Sequence, residues 1–325
     1  MSSVKKPFEK HMMLFSGRAY PELAQEVADL MGSSIVPMRA LSYANSEIYV
    51  RFEESVRGCD AFVIQSHCAP VNEWLMEQLI MVDALKRASA KRITVVAPFY
   101  PYARQDKKHA GREPISARLV ADLFKTAGAD RIMSVDLHAA QIQGFFDGPV
   151  DHLWALPVLA DYVQGKYDTS KMTVVSPDAG RVRLADMWTD RLNAKLAIIH
   201  KRRDPDVANT VAVHEVVGEV EGRVCLLVDD MIDTAGTICQ AAEALKARGA
   251  KAVIAATTHA VLSGPAASRL NASAFEEVIV TNSLPISTSE PIEKLTVLSI
   301  SPLIAEAIQQ VFTDGSVTKL FNGQS

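Results

Sequence analysis

The sequence predicts an α/β protein of two similar domains, each a mainly parallel sheet flanked by helices. Short apolar runs at residues 93–97 and 224–228 suit strands that are buried on both faces of a parallel sheet. Helical patterns alternate with such runs, and this order is typical of parallel sheets that bind ligands at the carboxyl ends of their strands. Residues 84–91 (ALKRASAK) also resemble residues 244–251 (ALKARGAK), which indicates a repeated strand–loop–helix–strand unit. The alternative is a chance match between two helix ends rich in alanine and lysine.

Length, charge and cysteine usage exclude several classes of protein. A chain of 325 residues suits two medium domains with ample core. The formal charge of -4 argues against general nucleic-acid binding, which needs a basic face. No apolar run reaches the roughly 18 residues that a membrane span requires. Cys59, Cys68, Cys225 and Cys239 lack the paired spacing of a metal site, so we expect reduced thiols and a cytoplasmic location.

The most informative segment begins with two acids, Asp229 and Asp230, directly after the run at residues 224–228. The small residues that follow let consecutive backbone N–H groups point into one concavity, where the dipole of the next helix favours an anion. This phosphate turn consists of Asp233, Thr234, Ala235, Gly236 and Thr237. Because the two carboxylates can accept hydrogen bonds from vicinal hydroxyls, the whole segment fits a sugar phosphate. The alternative is an acidic turn before a helix in some other α/β protein.

A loop rich in aromatic and basic residues follows the run at residues 93–97. Arg104 can stack on a purine or pair with a phosphate, and the amide of Gln105 can bind the edge of an adenine. This composition favours a nucleotide-binding loop in the first domain. The alternative is a solvated basic loop that binds no ligand.

Two further strand ends carry potential metal ligands. Asp136 and His138 follow a predicted strand, and alternation in an extended segment would place both side chains on one side, as a metal–nucleotide site requires. Asp178 follows the run at residues 173–175 and could hold a second magnesium ion, besides the metal at Asp136 and His138. Gly180 lets the backbone come close to that ion. For a single histidine at a strand end, a structural role is the alternative.

Three consecutive cations, Lys201, Arg202 and Arg203, follow an apolar pair at residues 198–199. Charge runs of this kind are usually exposed and have no function. Because this run lies between two phosphate-site motifs, we expect it to match the negative charge of a phosphate group.

The acidic segment at residues 228–237 resembles the phosphoribosyl-diphosphate loop of type I phosphoribosyltransferases and of ribose-phosphate diphosphokinases. Residues 109–115 (HAGREPI), which continue the basic loop, are similar to a stretch of the diphosphokinases that ordinary phosphoribosyltransferases lack. Residues 141–147 (QIQGFFD) are similar to the same family. The resemblance covers nearly the whole chain, and the chain is identified as a member of the class I ribose-phosphate diphosphokinases of the bacterial type.

The resemblance implies two phosphoribosyltransferase-type domains. Residues 12–155 would form the ATP side, with the C-terminal segment 303–322 packing back on it, and residues 156–302 would form the ribose 5-phosphate side. The implied reaction transfers the β,γ-diphosphoryl group of Mg-ATP to the C1 hydroxyl of ribose 5-phosphate, which gives 5-phosphoribosyl 1-diphosphate and AMP.

The same resemblance implies a role for each motif. Lys201 and Arg203 would be the catalytic pair, and Arg203 would also contact ribose 5-phosphate. Asp229 and Asp230 would orient the ribose hydroxyls, and the phosphate turn would hold the 5-phosphate. The implied ATP-binding residues are Asn45, Ser46, Glu47, Arg104, Gln105 and His138. The implied Mg2+ ligands are His138, Asp178 and Asp136, with Asp147 and Asp151 as weaker candidates that could instead brace loops.

The segment at residues 41–47 matches a hairpin that reaches the ATP of a neighbouring subunit in the family. Relatives usually have Asp and Gly where this chain has Asn45 and Ser46, and many have a second glycine where it has Arg181. The resemblance further implies a homohexamer built from dimers, with phosphate and ADP as effectors at an inter-subunit site. Arg112 and residues 316–318 resemble parts of that site, whereas Gly111 replaces a frequent serine.

Two rival functions would use the same residues differently. A phosphoribosyltransferase shares the sugar-phosphate turn but should lack an ATP loop such as residues 102–108. A non-catalytic regulatory paralogue should lose its catalytic cations or its metal ligands. This chain retains all of them, namely Lys201, Arg203, Asp136, His138 and Asp178.

Overall fold

The computed structural model describes residues 10–202 and 213–321, and the chain divides into two compact units. The first unit ends at Leu153 and takes in the C-terminal segment from Ser301, and the second unit is Trp154–Ile300. Each unit has a sheet of mainly parallel strands flanked by helices. The predicted α/β fold class is therefore confirmed.

The first unit follows the predicted alternation of strands and helices. In chain order its elements are β1 (Met12–Ser16), α1 (Pro21–Leu30), β2 (Met38–Ser42), β3 (Ile48–Phe52), β4 (Asp60–Ile64), α2 (Val71–Arg87), β5 (Arg92–Ala97), α3 (Ser116–Ala127), β6 (Arg131–Val135) and β7 (Val150–Leu153). The sheet has the order β1-β4-β5-β6-β7 with parallel pairing throughout, and β2 and β3 form a separate antiparallel hairpin. All of β4 is buried, which explains why most of its residues are apolar.

The second unit has a longer sheet. In chain order its elements are α4 (Leu156–Lys166), β8 (Met172–Ser176), α5 (Val182–Leu192), β9 (Lys195–Arg202), β10 (Val213–Val217), β11 (Val224–Ile232), α6 (Gly236–Ala247), β12 (Ala252–Ala260), α7 (Ala266–Ala272), β13 (Glu277–Thr281) and β14 (Leu295–Leu298). The sheet has the order β10-β9-β8-β11-β12-β13-β14, in which β10 pairs antiparallel with β9 and the other pairings are parallel.

One strand of the second unit is longer than its apolar run predicts. β11 continues beyond residue 228, so Asp229 and Asp230 lie within the strand and not after its end. The reason is its neighbour: β12 runs parallel to β11 over the same length, with Asp229 level with Thr257 and Ile232 level with Ala260. Ladder hydrogen bonds thus keep the acidic residues in extended backbone.

The C-terminal segment packs on the first unit through α8 (Ser301–Phe312), which lies against α1. The hydroxyl of Ser301 donates to Oε2 of Glu26 on α1 at 2.5 Å. Beyond α8, Asp314 pairs with Arg92 at the start of β5, with Nη1 and Oδ1 3.1 Å apart. These contacts fix a segment that is remote in sequence.

Two further features are the state of the cysteines and the apolar character of the helices. All four cysteines have free thiols, as the sequence analysis expects. Across residues 10–202 and 213–321, no helix combines the length and the apolar character that crossing a bilayer requires.

Glu277, at the start of β13, is the centre of a buried hydrogen-bond cluster. Its carboxylate accepts hydrogen bonds from Tyr162 (2.7 Å), Lys166 (2.9 Å) and Thr296 (2.6 Å), and also from the hydroxyl of Tyr167. Burial by itself would raise the pKa of Glu277, but the hydrogen bonds outweigh it and lower the pKa to about 2. The cluster therefore ties α4 and β14 to β13.

We expect Glu277→Gln to lower the free energy of unfolding by about 2 kcal/mol at neutral pH, because the amide cannot accept the same set of charge-assisted hydrogen bonds. The pKa of Glu277 is lower in the folded chain than in the unfolded chain. The advantage of the wild type should therefore be complete above about pH 5 and should shrink as the pH falls toward 2. Urea unfolding of both proteins at several pH values measures this difference.

Glu276→Gln is the matched control, since Glu276 is the adjacent carboxylate and is 57% exposed. It should leave the unfolding midpoint almost unchanged. An advantage of wild type over Glu277→Gln that stays constant down to pH 3 would contradict the assignment.

Candidate active site

The second unit has a topological switch point between β8 and β11. The chain runs from β8 to β9 and β10 on one side of the sheet before it returns to β11, which is adjacent to β8. In open α/β sheets such a reversal leaves a crevice at the carboxyl ends of the two strands, where ligands bind. Residues 177–181 follow β8, and the acid pair and the phosphate turn lie at the end of β11. The sequence-predicted sugar-phosphate residues are thus brought together at this edge.

Arg181 bridges the acid pair. Its Nε atom lies 2.8 Å from Oδ1 of Asp229, and its Nη2 atom lies 2.7 Å from Oδ1 of Asp230. The backbone N–H of Asp230 also donates to Oδ1 of Asp229 at 2.8 Å. The side chains of Arg181 and Asp230 are only 18% and 6% exposed, so solvent screens this interaction weakly.

The two carboxylates and the guanidinium are coupled electrostatically. Burial raises the pKa of Asp229 well above its ordinary value, and the adjacent carboxylate of Asp230 raises it further. Arg181 opposes both effects because its positive charge favours the ionised form. The pKa of Asp229 stays raised with Arg181 beside it, so Arg181 offsets only part of the effect of burial and of the second acid.

The backbone that carries Arg181 is held by Asp178. Oδ1 of Asp178 accepts hydrogen bonds from the N–H groups of Gly180 (2.8 Å) and Arg181 (3.1 Å). The hydroxyl of Ser176 donates to the carbonyl of Asp178 at 2.7 Å. The short 3-10 turn at residues 179–181 is therefore fixed in place, and its last side chain extends to β11.

The phosphate turn adopts the backbone that an anion site needs. Ala235 has φ of +60°, in the left-handed region, and α6 begins at the next residue, Gly236. The first N–H groups of a helix have no acceptor within the helix, so those of α6 can bind an anion. Thr234 and Thr237 are exposed, so their hydroxyls are accessible as additional donors.

Arg269, on α7, supports the phosphate turn. Its Nη1 atom donates to the carbonyl oxygen of Thr234 at 2.9 Å. The guanidinium lies so close to Gly236 that a Cβ atom there would be 3.2 Å from Nη1. The sequence analysis missed Arg269, because it lies on a helix beyond β12 and only the folded sheet brings it back to the turn.

In the first unit, the basic loop and Asp136 share one edge of the sheet, since β5 and β6 are parallel neighbours. The N–H of Val135, the last residue of β6, donates to the carbonyl of Pro98 at 3.2 Å. Gln141 donates to the carboxylate of Asp106 and so links the two loops a second time.

Arg104 and Gln105 are both exposed on this edge. The backbone of Gln105 is fixed by α3, because the N–H of Ala117 donates to its carbonyl at 3.1 Å. Its side-chain oxygen accepts a hydrogen bond from the hydroxyl of Ser116 at 2.6 Å. Gln105 is therefore oriented by the start of the following helix.

The predicted alternation of Asp136 and His138 is wrong. β6 ends at Val135, and Asp136 has φ of +38°, so the segment is not extended and the two side chains do not alternate as in a strand. The N–H of Asp136 donates to the carbonyl of Leu153 at 2.9 Å, which directs the backbone toward β7. Asp136 is buried and His138 is partly exposed at the same strand end.

Asp147 and Asp151 lie toward the amino end of β7, whereas Asp136 and His138 follow the carboxyl end of the parallel strand β6. Asp147 precedes β7 and Asp151 is its second residue, and β7 runs parallel to β6. The carboxylate of Asp151 pairs with Nη1 of Arg131 at 2.7 and 2.8 Å. The structure therefore does not bring these two weaker metal candidates to the other predicted ligands, and Asp151 braces the start of the sheet.

Asn45, Ser46 and Glu47 form the tip of the β2–β3 hairpin and are exposed. The N–H of Glu47 donates to Oδ1 of Asn45 at 3.2 Å, and Ser46 has φ of +70°. This left-handed backbone favours glycine or asparagine, so Ser46 is held there by the turn itself.

The predicted catalytic cations are only partly described. The backbone of Lys201 belongs to β9, where it is level with His214 of β10. Arg203 lies outside the described residues.

The donor types fit magnesium. Asp136 and Asp178 offer carboxylate oxygens at strand ends, and His138 adds an imidazole in the first unit. Among residues 10–202 and 213–321, no three His, Cys, Asp or Glu side chains are arranged to hold a metal by themselves. This set suits an ion that takes one or two carboxylates and completes its shell with water and substrate phosphates, as Mg2+ does.

Comparison with known proteins gives consistent matches over the whole chain. Residues 12–128 match the N-terminal domain of ribose phosphate pyrophosphokinase, and residues 205–322 match the phosphoribosyl synthetase-associated domain. The ribose-phosphate pyrophosphokinase of Streptomyces coelicolor is 68% identical over 324 residues, which is 100% of both chains. That of Mycobacterium tuberculosis is 62% identical over 317 residues, which is 97% of both chains.

A solved structure agrees with these matches. The crystal structure of phosphoribosylpyrophosphate synthetase from Mycobacterium smegmatis has a TM-score of 0.90 and 60% identity, and the match covers 94% of this chain and 100% of that one. The chain therefore belongs to the ribose-phosphate pyrophosphokinase family.

Proposed function

We propose that this chain transfers the β,γ-diphosphoryl group of ATP to the C1 hydroxyl of ribose 5-phosphate, giving 5-phosphoribosyl 1-diphosphate and AMP in the cytoplasm. The observation that carries the proposal is the acid pair within β11, followed directly by an anion-binding turn. A pentose phosphate has vicinal hydroxyls and a terminal phosphate, which match these two features in order. Membership of the family, at 68% identity over the full length of a named relative, supports the reaction.

Ribose 5-phosphate would bind with its phosphate on the first turn of α6. The N–H groups there and the hydroxyls of Thr234 and Thr237 would donate to the phosphate oxygens. Asp229 and Asp230 would accept hydrogen bonds from the ring hydroxyls, which fixes the sugar with its C1 hydroxyl directed away from the turn. Asp233 and Ala235 would contribute backbone to the same turn.

ATP would bind at the β5–β6 edge of the first unit. Arg104 offers a guanidinium for a phosphate or for stacking on the base, and the exposed part of Gln105 offers an amide to the base edge. The hairpin tip at residues 45–47 would contact the ATP of a neighbouring subunit. This contact requires an assembly, and we propose a homohexamer built from dimers, as the family resemblance implies.

Mg2+ would be held by Asp136 and His138 in the first unit and by Asp178 in the second, together with substrate phosphates. When bound, the ion supplies charge neutralisation on the diphosphoryl group.

We further propose phosphate and ADP as effectors. Arg112 and Thr318 are exposed, Ser316 is partly exposed, and the hydroxyls of Ser316 and Thr318 lie 2.8 Å apart.

The reaction needs no covalent intermediate. The C1 hydroxyl attacks the β-phosphorus in line and releases its proton to solvent, the bond from the β-phosphorus to the oxygen it shares with the α-phosphorus breaks, and that oxygen leaves with AMP. Catalysis then rests on holding two substrates in position and on stabilising charge on the equatorial oxygens. Lys201 and Arg203 would provide that stabilisation, and Arg203 would also contact ribose 5-phosphate.

We expect the purified protein to release AMP from ATP only when ribose 5-phosphate and Mg2+ are present. Lys201→Ala should lower kcat by about a hundredfold or more, because one cation that stabilises the transferring group is lost. The KM for ribose 5-phosphate should change little. Initial-rate measurements of AMP release give both constants.

Lys195→Ala is the matched control. Lys195 lies on the same strand, β9, and pairs with Glu219 at the surface. Its loss should leave kcat within about twofold of the wild type. A near-normal kcat for Lys201→Ala would remove Lys201 from the mechanism, and AMP release that is independent of ribose 5-phosphate would overturn the proposed function.

Arg269→Met should raise the KM for ribose 5-phosphate about tenfold while the KM for ATP stays unchanged. The reason is that the charged hydrogen bond to the carbonyl of Thr234 fixes the turn that receives the 5-phosphate. Arg248→Met is the control, because Arg248 lies at the other end of α6 and is exposed. Equal effects of the two substitutions would assign Arg269 no specific role.

A further inference from the structure

Arg181 is positioned to do more than balance charge. Its guanidinium uses two different nitrogen atoms, Nε and Nη2, to contact one oxygen on each of two neighbouring carboxylates, at 2.8 and 2.7 Å. A planar guanidinium that forms ion pairs with two acids through different nitrogen atoms constrains the distance between the two carboxyl groups. A single ammonium group could supply the charge but not this geometry.

The support for Arg181 is rigid on both sides. Its backbone N–H donates to Oδ1 of Asp178, and its side chain is 18% exposed. The acids lie on β11, whose backbone is paired with β12 at Asp229. The backbone contacts of Arg181 and of β11 therefore fix where the guanidinium and the carboxylates lie relative to one another. A flexible side chain at the surface would not be fixed in this way.

Recognition of vicinal hydroxyls depends on where the acceptor oxygens lie. The 2- and 3-hydroxyls of a ribose are held at a fixed separation by the ring, so two carboxylates can bind both only at a matching separation and angle. A site built to hydrogen-bond a hydroxyl rejects an analogue that lacks it, because its buried polar groups are then left unsatisfied. Loss of Arg181 would remove both ion pairs that hold the two acids in that arrangement.

We propose that Arg181 is the positioning residue that gives this site its preference for ribose 5-phosphate over 2-deoxyribose 5-phosphate. The inference rests on the proposed function and adds the residue that sets its sugar specificity. Arg181 acts through Asp229 and Asp230 and need not touch the sugar.

The test compares the two sugars as substrates of the full-length protein. For the wild type, kcat/KM should favour ribose 5-phosphate by about a hundredfold or more. In Arg181→Met, kcat/KM for ribose 5-phosphate should fall at least about tenfold, while the value for the deoxy sugar should change by less than about threefold. Where turnover of the deoxy sugar is too slow to follow, its inhibition constant against ribose 5-phosphate replaces kcat/KM.

Two further variants make the test specific. Arg181→Lys keeps the positive charge but cannot span both acids, so it should also lose preference between the sugars. Arg191→Met is the matched control: Arg191 lies on α5, three turns from Arg181, and pairs at the surface with Asp161. It should keep the wild-type preference, and all variants should retain the KM for ATP.

Each outcome decides between the hypotheses. An equal loss for both sugars in Arg181→Met would mean that Arg181 supplies only charge or stability, and would overturn the inference. Full preference in Arg181→Lys would do the same, and this variant decides the question if Arg181→Met proves unfolded by thermal denaturation. Failure of the wild type to use ribose 5-phosphate at all would instead overturn the proposed function.

Discussion

The second unit depends on one electrostatic constraint: two adjacent acids and one arginine share a largely buried position. Asp230 is 5% exposed, and burial together with Asp230 raises the pKa of Asp229 well above its ordinary value. Two such acids are costly unless a cation neutralises them, because neither can be hydrated fully. Arg181 offsets part of that cost, and its own backbone is held by Asp178. The acid pair therefore fixes the conformation of the loop after β8 as well as the chemistry of β11.

The two units use the end of a comparable strand in opposite ways. In the second unit, the residues after β11 form an exposed turn at the start of a helix. In the first unit, the residues after β4 are buried: Gln65, Ser66 and His67 are at most 1% exposed. Nδ1 of His67 contacts the carbonyl of Phe99 at 3.1 Å, and burial lowers the pKa of His67 to about 4, so this imidazole is neutral. The helix N–H groups at one strand end can therefore donate to an anion, whereas the other strand end is packed and contains the buried carboxylate of Glu77, which accepts a hydrogen bond from Gln65.

Much of the fold follows from local sequence. Buried parallel strands need continuous apolar runs, and the runs at residues 93–97 and 224–228 identify β5 and the start of β11. The acid pair and the phosphate turn are contiguous in sequence, so they are visible as a motif. Two errors came from treating segments in isolation. β11 extends through its acids because β12 pairs with it, and β6 ends one residue before Asp136, whose φ of +38° lies outside the extended region.

Other parts of the site depend on contacts that form only in the folded sheet, so the spacing of residues in the sequence does not predict them. Asp147 and Asp151 are close in sequence to His138, yet the chain crosses the sheet between them and reaches its opposite edge. The sequence shows Arg181 only as a departure from a family pattern, since its partners lie three strands further along the chain. The hydrogen bond of Arg269 to Thr234 is likewise a product of folding.

The two arginines that complete the site have a common topological origin. In the sheet, β11 lies between β8 and β12, and all three strands are parallel. Arg181 follows β8, whereas Arg269 follows β12, on α7. Because parallel neighbours end at the same edge, the segments that follow them are the ones best placed to reach the end of β11. The segment on and after β11 offers acceptor oxygens and helix N–H donors, and each neighbouring strand contributes one cation: Arg181 pairs with the acids, and Arg269 donates to the turn.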